Sequence, residues 1–218
     1  MATARVATMA LPQSPLVVGF DLDLTLVDSR ERIMRSYIHA LRDVGVEVSR
    51  EDLEPHMGIP LTHTVAAVAP AVDADALVAR YRRYYDDPAS PPTAPMPGAA
   101  EALAAVRDHG GRTVVVSAKY VPAVHTALAE AGLDDLVDAV YGELFAEDKS
   151  TALLEQQATV YVGDHPGDMA AAAGANALAV GVTTGSHDAQ ALSAVGAAVT
   201  LEHLAAFPGW LRGHLAGR

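Results

Sequence analysis

Residues 16–20 (Leu-Val-Val-Gly-Phe) form a short apolar, β-rich run that follows Pro15 and stops abruptly at Asp21. A run of this length and composition suits a strand buried on both faces of a sheet. Similar runs recur at residues 113–116, 159–162 and 178–182, with a weaker one at 137–141. Helical patterns lie between them, at 98–109, 121–131 and 150–157. Strands alternating with helices predict an α/β fold built on a parallel sheet with helices on both faces.

Residues 29–95 break this rhythm. They contain no convincing strand, but amphipathic helical patterns run over 61–68 and 73–86. Asp28 and Glu31 have capping-box spacing, which predicts a helix start with Asp28 as its N-cap. The stretch closes on Pro88, Pro91, Pro92, Pro95 and Pro97, a linker composition. Three parts are therefore expected. Residues 1–15 are an N-terminal leader, 16–28 and 96–218 a Rossmann-like α/β core, and 29–95 a small helical cap domain. The cap is inserted after the first strand and returns through the proline-rich segment. The sequence shows no internal repeat.

Composition narrows the partners. Half of the 218 residues are hydrophobic and 19% are charged, so the chain has enough apolar sequence for a real core. A formal net charge of -12 argues against a nucleic-acid or anionic-membrane surface. Cysteine is absent, which excludes disulfides, thiolate metal sites and a thiol nucleophile. Residues 1–15 hold no continuous apolar run and are interrupted by Pro12 and Pro15, unlike a signal peptide. No segment approaches the apolar length of a membrane span, and a cytoplasmic location is expected. Of the 15 basic residues only Lys119 and Lys149 are lysine. Drift toward arginine explains such a bias by itself, but a lysine that survives it is a candidate for a place where a compact ammonium is needed and a guanidinium fork would not fit.

The chemistry is concentrated at the strand ends. Asp21 and Asp23 stand two residues apart beyond the first strand, where open α/β sheets bind ligands. Two adjacent carboxylates are unfavourable unless a cation or a shared proton compensates. Magnesium suits such oxygen donors together with phosphate oxygens. Asp164 and Asp168 follow the strand at 159–162 in the same way. Gly163 there permits a tight turn, and Asp164 and Pro166 read equally as the start of a helix. Ser117 ends the strand at 113–116, and Lys149 opens the helical stretch after the weak strand. A strand-end hydroxyl with free backbone donors can hold a phosphate oxygen.

In order, Asp21-Leu22-Asp23-Leu24-Thr25, Ser117, the isolated Lys149 and the Gly163-Asp164…Asp168 segment resemble the haloacid dehalogenase-like superfamily, specifically its phosphoglycolate phosphatase-like branch. The resemblance runs from Leu16 to about Leu204. Residues 56–61 (His-Met-Gly-Ile-Pro-Leu) resemble that branch's cap loop, with Gly58 reaching over the substrate. The resemblance implies a Mg2+-dependent phosphatase acting on a small phosphorylated metabolite, a phosphoglycolate-like phosphomonoester. It implies Asp21 as the nucleophile forming an aspartyl-phosphate and Asp23 as the acid and base. It implies Mg2+ on Asp21, the Asp23 carbonyl, Asp164 and Asp168. Thr25, Ser117, Ala118 and Lys119 would bind the substrate's phosphate, with Lys149 offsetting its charge.

Three departures stand out: Leu24 where glycine is usual, no proline after Lys149, and His165 in place of a small hydroxyl residue. A phosphomutase of the same superfamily and a non-catalytic phosphate-binding module are the alternatives. A dehalogenase would not need Asp23, and a response-regulator receiver would lack the inserted cap. In the cap, His56, His63 and Arg82 or Arg83 are candidate contacts for a polar or anionic substrate tail. Tyr81, Tyr84 and Tyr85 share one helical face by spacing. The segment around Phe207 and Trp210 reads as a docked tail or an interface, and the oligomeric state is not legible.

Overall fold

The structure, a computed structural model, describes residues 15–217; the expected leader falls almost wholly outside them. From the N-terminus run β1 (Val17–Phe20), β2 (Val27–Asp28), α1 (Arg30–Arg42), α2 (Arg50–Leu53), α3 (Leu61–Val68) and α4 (Ala74–Tyr85). Then come β3 (Ala94–Pro95), α5 (Ala99–Asp108), β4 (Arg112–Val116), α6 (Val121–Glu130), β5 (Ala139–Tyr141) and α7 (Asp148–Glu155). The chain closes with β6 (Val160–Gly163), α8 (Pro166–Gly174), β7 (Leu178–Val182), α9 (Ala189–Ala194), β8 (Val199–Leu201) and α10 (Phe207–Ala216).

Six strands form one sheet in the order β5-β4-β1-β6-β7-β8, and every adjacent pair is parallel. The alternation of side chains along β1 divides the core. Val18 and Phe20 face a cluster with Leu103 and Val106 of α5, Leu128 of α6 and Leu211 of α10. Val17 faces the other way, with Val114, Val116 and Tyr161, toward Leu153 of α7 and Met169 of α8. Both faces are covered, so the central strands lack a polar side, as their continuous apolar runs require. The edge strand β8 was not anticipated: Ala-Ala-Val-Thr-Leu gives too short a β-rich signal, and only pairing with β7 defines it.

Helices α1, α3 and α4 share a third apolar cluster, which includes Ile33, Met34, Tyr37, Val65, Leu77 and Tyr81. Leu24 and Ala123 reach into it from the sheet side. The chain enters and leaves this layer at one place, because β2 and β3 pair antiparallel as a two-residue ribbon. That ribbon corrects the expectation of a strand-free segment up to residue 95. A second tie is ionic. Nη1 of buried Arg32 on α1 donates to both carboxylate oxygens of Glu130 at 2.7 and 2.6 Å, and Glu130 also accepts from Thr93 N at 2.8 Å.

The expected capping box at Asp28 and Glu31 does not form. Ser29 is the N-cap residue of α1, and its hydroxyl is taken up by the Asp23 carboxylate. Glu31 pairs with Arg50 at 2.6 Å instead.

The C-terminal helix is docked. Phe207 is fully buried, with its ring edge-on to Phe20 at 5.5 Å and tilted against Trp210 at 5.3 Å. Phe207→Ala is expected to cost about 3–5 kcal/mol, because an aromatic cavity under the sheet cannot collapse fully. Urea denaturation should show this as a lower midpoint with an unchanged slope.

Candidate active site

Asp21 is held at the carboxyl edge of the sheet by its own backbone. Its N–H donates to Val162 O at 2.8 Å, extending the β1–β6 ladder one residue past Phe20. The chain then turns sharply. Leu22 O accepts from Leu26 N at 2.9 Å and Val27 N at 3.0 Å, which brings Asp23 back beside Asp21. Leu24 takes φ +61 in this turn, a conformation that glycine adopts freely and leucine does not. The loop therefore keeps a glycine-like backbone despite the substitution. The Leu24 side chain is buried in the helical layer, which offsets the strain.

Lys149 lies in the first turn of α7, as expected, and projects into the same place. Its ammonium donates to Asp21 Oδ1 at 2.6 Å and Asp168 Oδ1 at 2.7 Å. The start of α8 departs from expectation. His165 is the N-cap residue, accepting from Gly167 N through Nδ1 at 3.0 Å, while Asp168 Oδ2 accepts from His165 N at 3.1 Å. Asp164 is thereby free of capping, and its Oδ1 accepts from Thr25 Oγ1 at 3.1 Å. Gly163 lies in β6 without a positive φ, so it is not a turn residue. Its role is room: a Cβ there would lie 2.3 Å from Asp168 Cγ.

Asp21, Asp164 and Asp168 are all buried and offer oxygen atoms within 4.8 Å of one another. The Asp21 carboxyl is pushed up to about 7, chiefly by burial with Asp168 and Asp23 adding to the rise, against the downward pull of Lys149. Burial likewise raises Asp164 well above the carboxylate range, with Asp21 and Asp168 adding to the rise. Burial alone would lower the Lys149 pKa, but Asp168 and Asp21 outweigh it and hold the ammonium charged. One ammonium cannot balance three buried carboxyl groups, so they can all ionise only if a further cation joins them. Hard oxygen donors with no sulfur or imidazole suit a divalent cation of the magnesium or calcium type.

Above this cluster is a cavity of about 270 Å3 lined by Asp21, Asp23, Ser117, Ala118, Lys119 and Gly58, among others. Gly58 has φ +82. Lys119, expected to bind phosphate, lines the cavity and is paired within the protein. Its Nζ lies 3.2 Å from Asp23 Oδ2 and 4.1 Å above the centre of the Tyr85 ring. Burial alone would lower the Lys119 pKa, and Asp23 and Tyr85 reverse the shift and raise it. Ser117 Oγ accepts from Lys119 N at 3.1 Å, closing the loop at the end of β4. Thr25 is fully buried with its hydroxyl on Asp164 and is not among the residues lining the cavity.

In the helical layer His56, Tyr81, Arg82 and Tyr85 line the cavity. The tyrosine face predicted by spacing is split: Tyr84 instead bonds Asp43 at 2.8 Å. Arg83 also turns to Asp43, at 3.2 Å, and His63 packs edge-on against Phe145.

Sequence reasoning missed Ser29, which binds Asp23, and Tyr161, whose hydroxyl lies 3.3 Å from Asp168 Oδ1. It also missed Gly185, where a Cβ would fall 1.8 Å from Asp164 Oδ2. A lone glycine after β7 carries no signal of its own; only the approach of Asp164 across the sheet edge gives it meaning.

A family model described as haloacid dehalogenase-like hydrolase matches residues 18–182, which takes in Asp21, Asp23, Lys149, Asp164 and Asp168. The chain belongs to that family. Within the haloacid dehalogenase-like hydrolases it is 31% identical to a phosphoglycolate phosphatase of Cupriavidus necator, over 94% of this chain and 96% of the relative. It is 30% identical to the tyrosine-protein kinase PtkA of Mycobacterium tuberculosis over 81% of this chain, spanning only 65% of the length of that relative. The fold matches the crystal structure of a predicted phosphatase from Clostridium acetobutylicum with a TM-score of 0.80 at 23% identity. That match covers 92% of this chain and 100% of the other. No helix among the described residues is long and apolar enough to cross a membrane.

A divalent cation binding this cluster stabilises the folded state by mass action. Magnesium titration followed by thermal melting should raise the melting temperature of the wild type. Gly185→Ala, which displaces the Asp164 carboxylate, is expected to weaken the apparent affinity about 10- to 100-fold.

Proposed function

We propose that this chain is a Mg2+-dependent phosphatase of small phosphomonoesters, of which phosphoglycolate is the one named by a relative. The observation that carries the reading is the convergence of Asp21 and Asp23 on one cavity floor, with Lys149 and Asp164 directly beneath. Asp21, Asp164 and the Asp23 carbonyl would hold the metal. Asp168 orients Lys149 through Oδ1 and would join the metal directly or through a water. When bound, the metal supplies positive charge against which phosphate oxygens are placed and Asp21 stays ionised.

An Asp21 carboxylate oxygen attacks phosphorus as the bond from phosphorus to the leaving oxygen breaks, giving an aspartyl-phosphate. Asp23 delivers a proton to the departing oxygen. It then takes a proton from the water that attacks the phosphoryl group, releasing phosphate and restoring Asp21. Lys119 and Ser29 grip the two oxygens of Asp23 and fix its direction. Residues 29–95 act as the cap over this centre, a division supported by the separate apolar cluster and the β2–β3 crossing point. The kinase activity named for the mycobacterial relative is not carried over, because this chain spans too little of it.

Asp21→Asn should lower p-nitrophenyl phosphate hydrolysis by at least about a thousandfold, with binding of the ester retained. Asp23→Asn behaves differently. The p-nitrophenolate leaving group needs no proton, so this variant forms the phosphoenzyme but stalls at its hydrolysis. Stopped-flow absorbance is expected to show a burst of one product per active site before slow turnover. Wild-type protein that turns over no phosphate ester with Mg2+ would leave the reading without support.

A further inference from the structure

The upper wall of the cavity is chemically unlike its floor. Ile33, Tyr37, Ile59, Leu61, Val78 and Tyr81 form that wall, all from the helical layer. Tyr37 and Tyr81 meet with ring centres 4.8 Å apart, and Tyr81 stacks on Tyr85 at 5.8 Å and 25°. Tyr37 and Tyr81 border the cavity but are more than nine-tenths buried, and Tyr85 is buried with Lys119 and Arg32 over its ring, so the open part of the wall is the half-buried Ile59, Leu61 and Val78. Apolar and aromatic walls of this kind give affinity to ligand carbon, whereas a few placed polar groups set orientation.

The charges around the cavity argue the same way. Its lining holds the carboxylates Asp21, Asp23 and Glu143, the cations Lys119 and Arg82, and the imidazole of His56. Lys119 is engaged by Asp23 at 3.2 Å. Arg82 lies at the mouth, 2.8 Å from Glu143 and stacked 4.4 Å over the Tyr120 ring. That pair is exposed and individually weak, but Glu143 cancels the field that Arg82 would offer an anion. The floor cluster and its cation serve the phosphoryl group. A second negative charge on the substrate would meet no lysine or arginine that lacks a carboxylate partner, and His56 is the one other basic side chain in the lining.

We infer that the substrate's leaving group is an uncharged, largely apolar alcohol of ring size, seated against Ile59, Leu61 and Val78 and the cavity side of Tyr37 and Tyr81. This rests on the phosphatase reading above and narrows it. An acid phosphate such as phosphoglycolate, with its carboxylate tail, is then a poor substrate for this chain. Tyr81 and the apolar residues Ile59 and Val78 set specificity, and Glu143 acts against anionic tails.

The test compares benzyl phosphate with 2-phosphoglycolate, with Mg2+ present, as kcat/KM. Both release a primary alcohol, so intrinsic reactivity is closely matched and the difference reports on the cavity. Benzyl phosphate should be preferred by at least tenfold. Tyr81→Ala should raise KM for benzyl phosphate more than it changes kcat. Glu143→Gln should shift the ratio of efficiencies toward phosphoglycolate severalfold, because it leaves Arg82 unopposed. A wild-type preference below tenfold, or one for phosphoglycolate, overturns the inference while leaving the phosphatase reading intact. So does hydrolysis of p-nitrophenyl phosphate with neither test ester accepted. Failure on all three esters overturns both.

Discussion

Lys149 sets one ammonium against two carboxylates, 2.6 Å from Asp21 and 2.7 Å from Asp168, where all three side chains are buried. Isolated ions in such a place would neutralise, and the upward shift of Asp21 shows the strain that remains even with Lys149 present. The rest of the site follows from managing this charge. Thr25 donates to Asp164, Tyr161 approaches Asp168, and His165 N satisfies the second Asp168 oxygen. What is left over is a group of carboxyls beside a cavity that can ionise together only with a bound cation, which in turn would favour an anionic phosphoryl group. The net charge of -12 is therefore no obstacle to a phosphate ester.

The sheet makes this arrangement possible at low cost in backbone. Parallel strands end together, and β1, β4 and β6 are neighbours although distant in sequence. Residues 21, 117 and 164 thus share one edge. The connection from β1 runs to β4 on one side, and β6 later returns to the other, so the crevice lies where strand order reverses. The helical layer is threaded through the short β2–β3 ribbon directly above that crevice. Arg32 and Glu130 tie the layer to α6, fixing its position over the floor.

Much of this was legible in the sequence because the signals were local. Continuous apolar runs ending in Asp21, Ser117 and Asp164 marked strands and their functional ends, and the scarcity of lysine singled out Lys119 and Lys149. What failed depended on competition between partners. Asp28 and Glu31 had capping-box spacing, but Asp23 claimed the Ser29 hydroxyl and Arg50 claimed Glu31. Asp164 had the place of an N-cap, yet His165 filled that role and released the carboxylate. Gly185 and Glu143 had no local signal, since each matters only through a residue brought near by the fold. The tyrosine pattern was real, but spacing alone did not separate Tyr84 on the outside from Tyr81 and Tyr85 at the cavity.

The central claim is that Asp21 becomes covalently phosphorylated. An acyl-phosphate is reduced by borohydride to the alcohol, which converts the aspartate that carried it to homoserine. Wild-type protein quenched in acid during steady-state hydrolysis, reduced and mapped by peptide mass spectrometry is predicted to carry homoserine at position 21. Substrate turnover with position 21 unmodified, or with homoserine at Asp23 or Asp164 instead, would contradict the account.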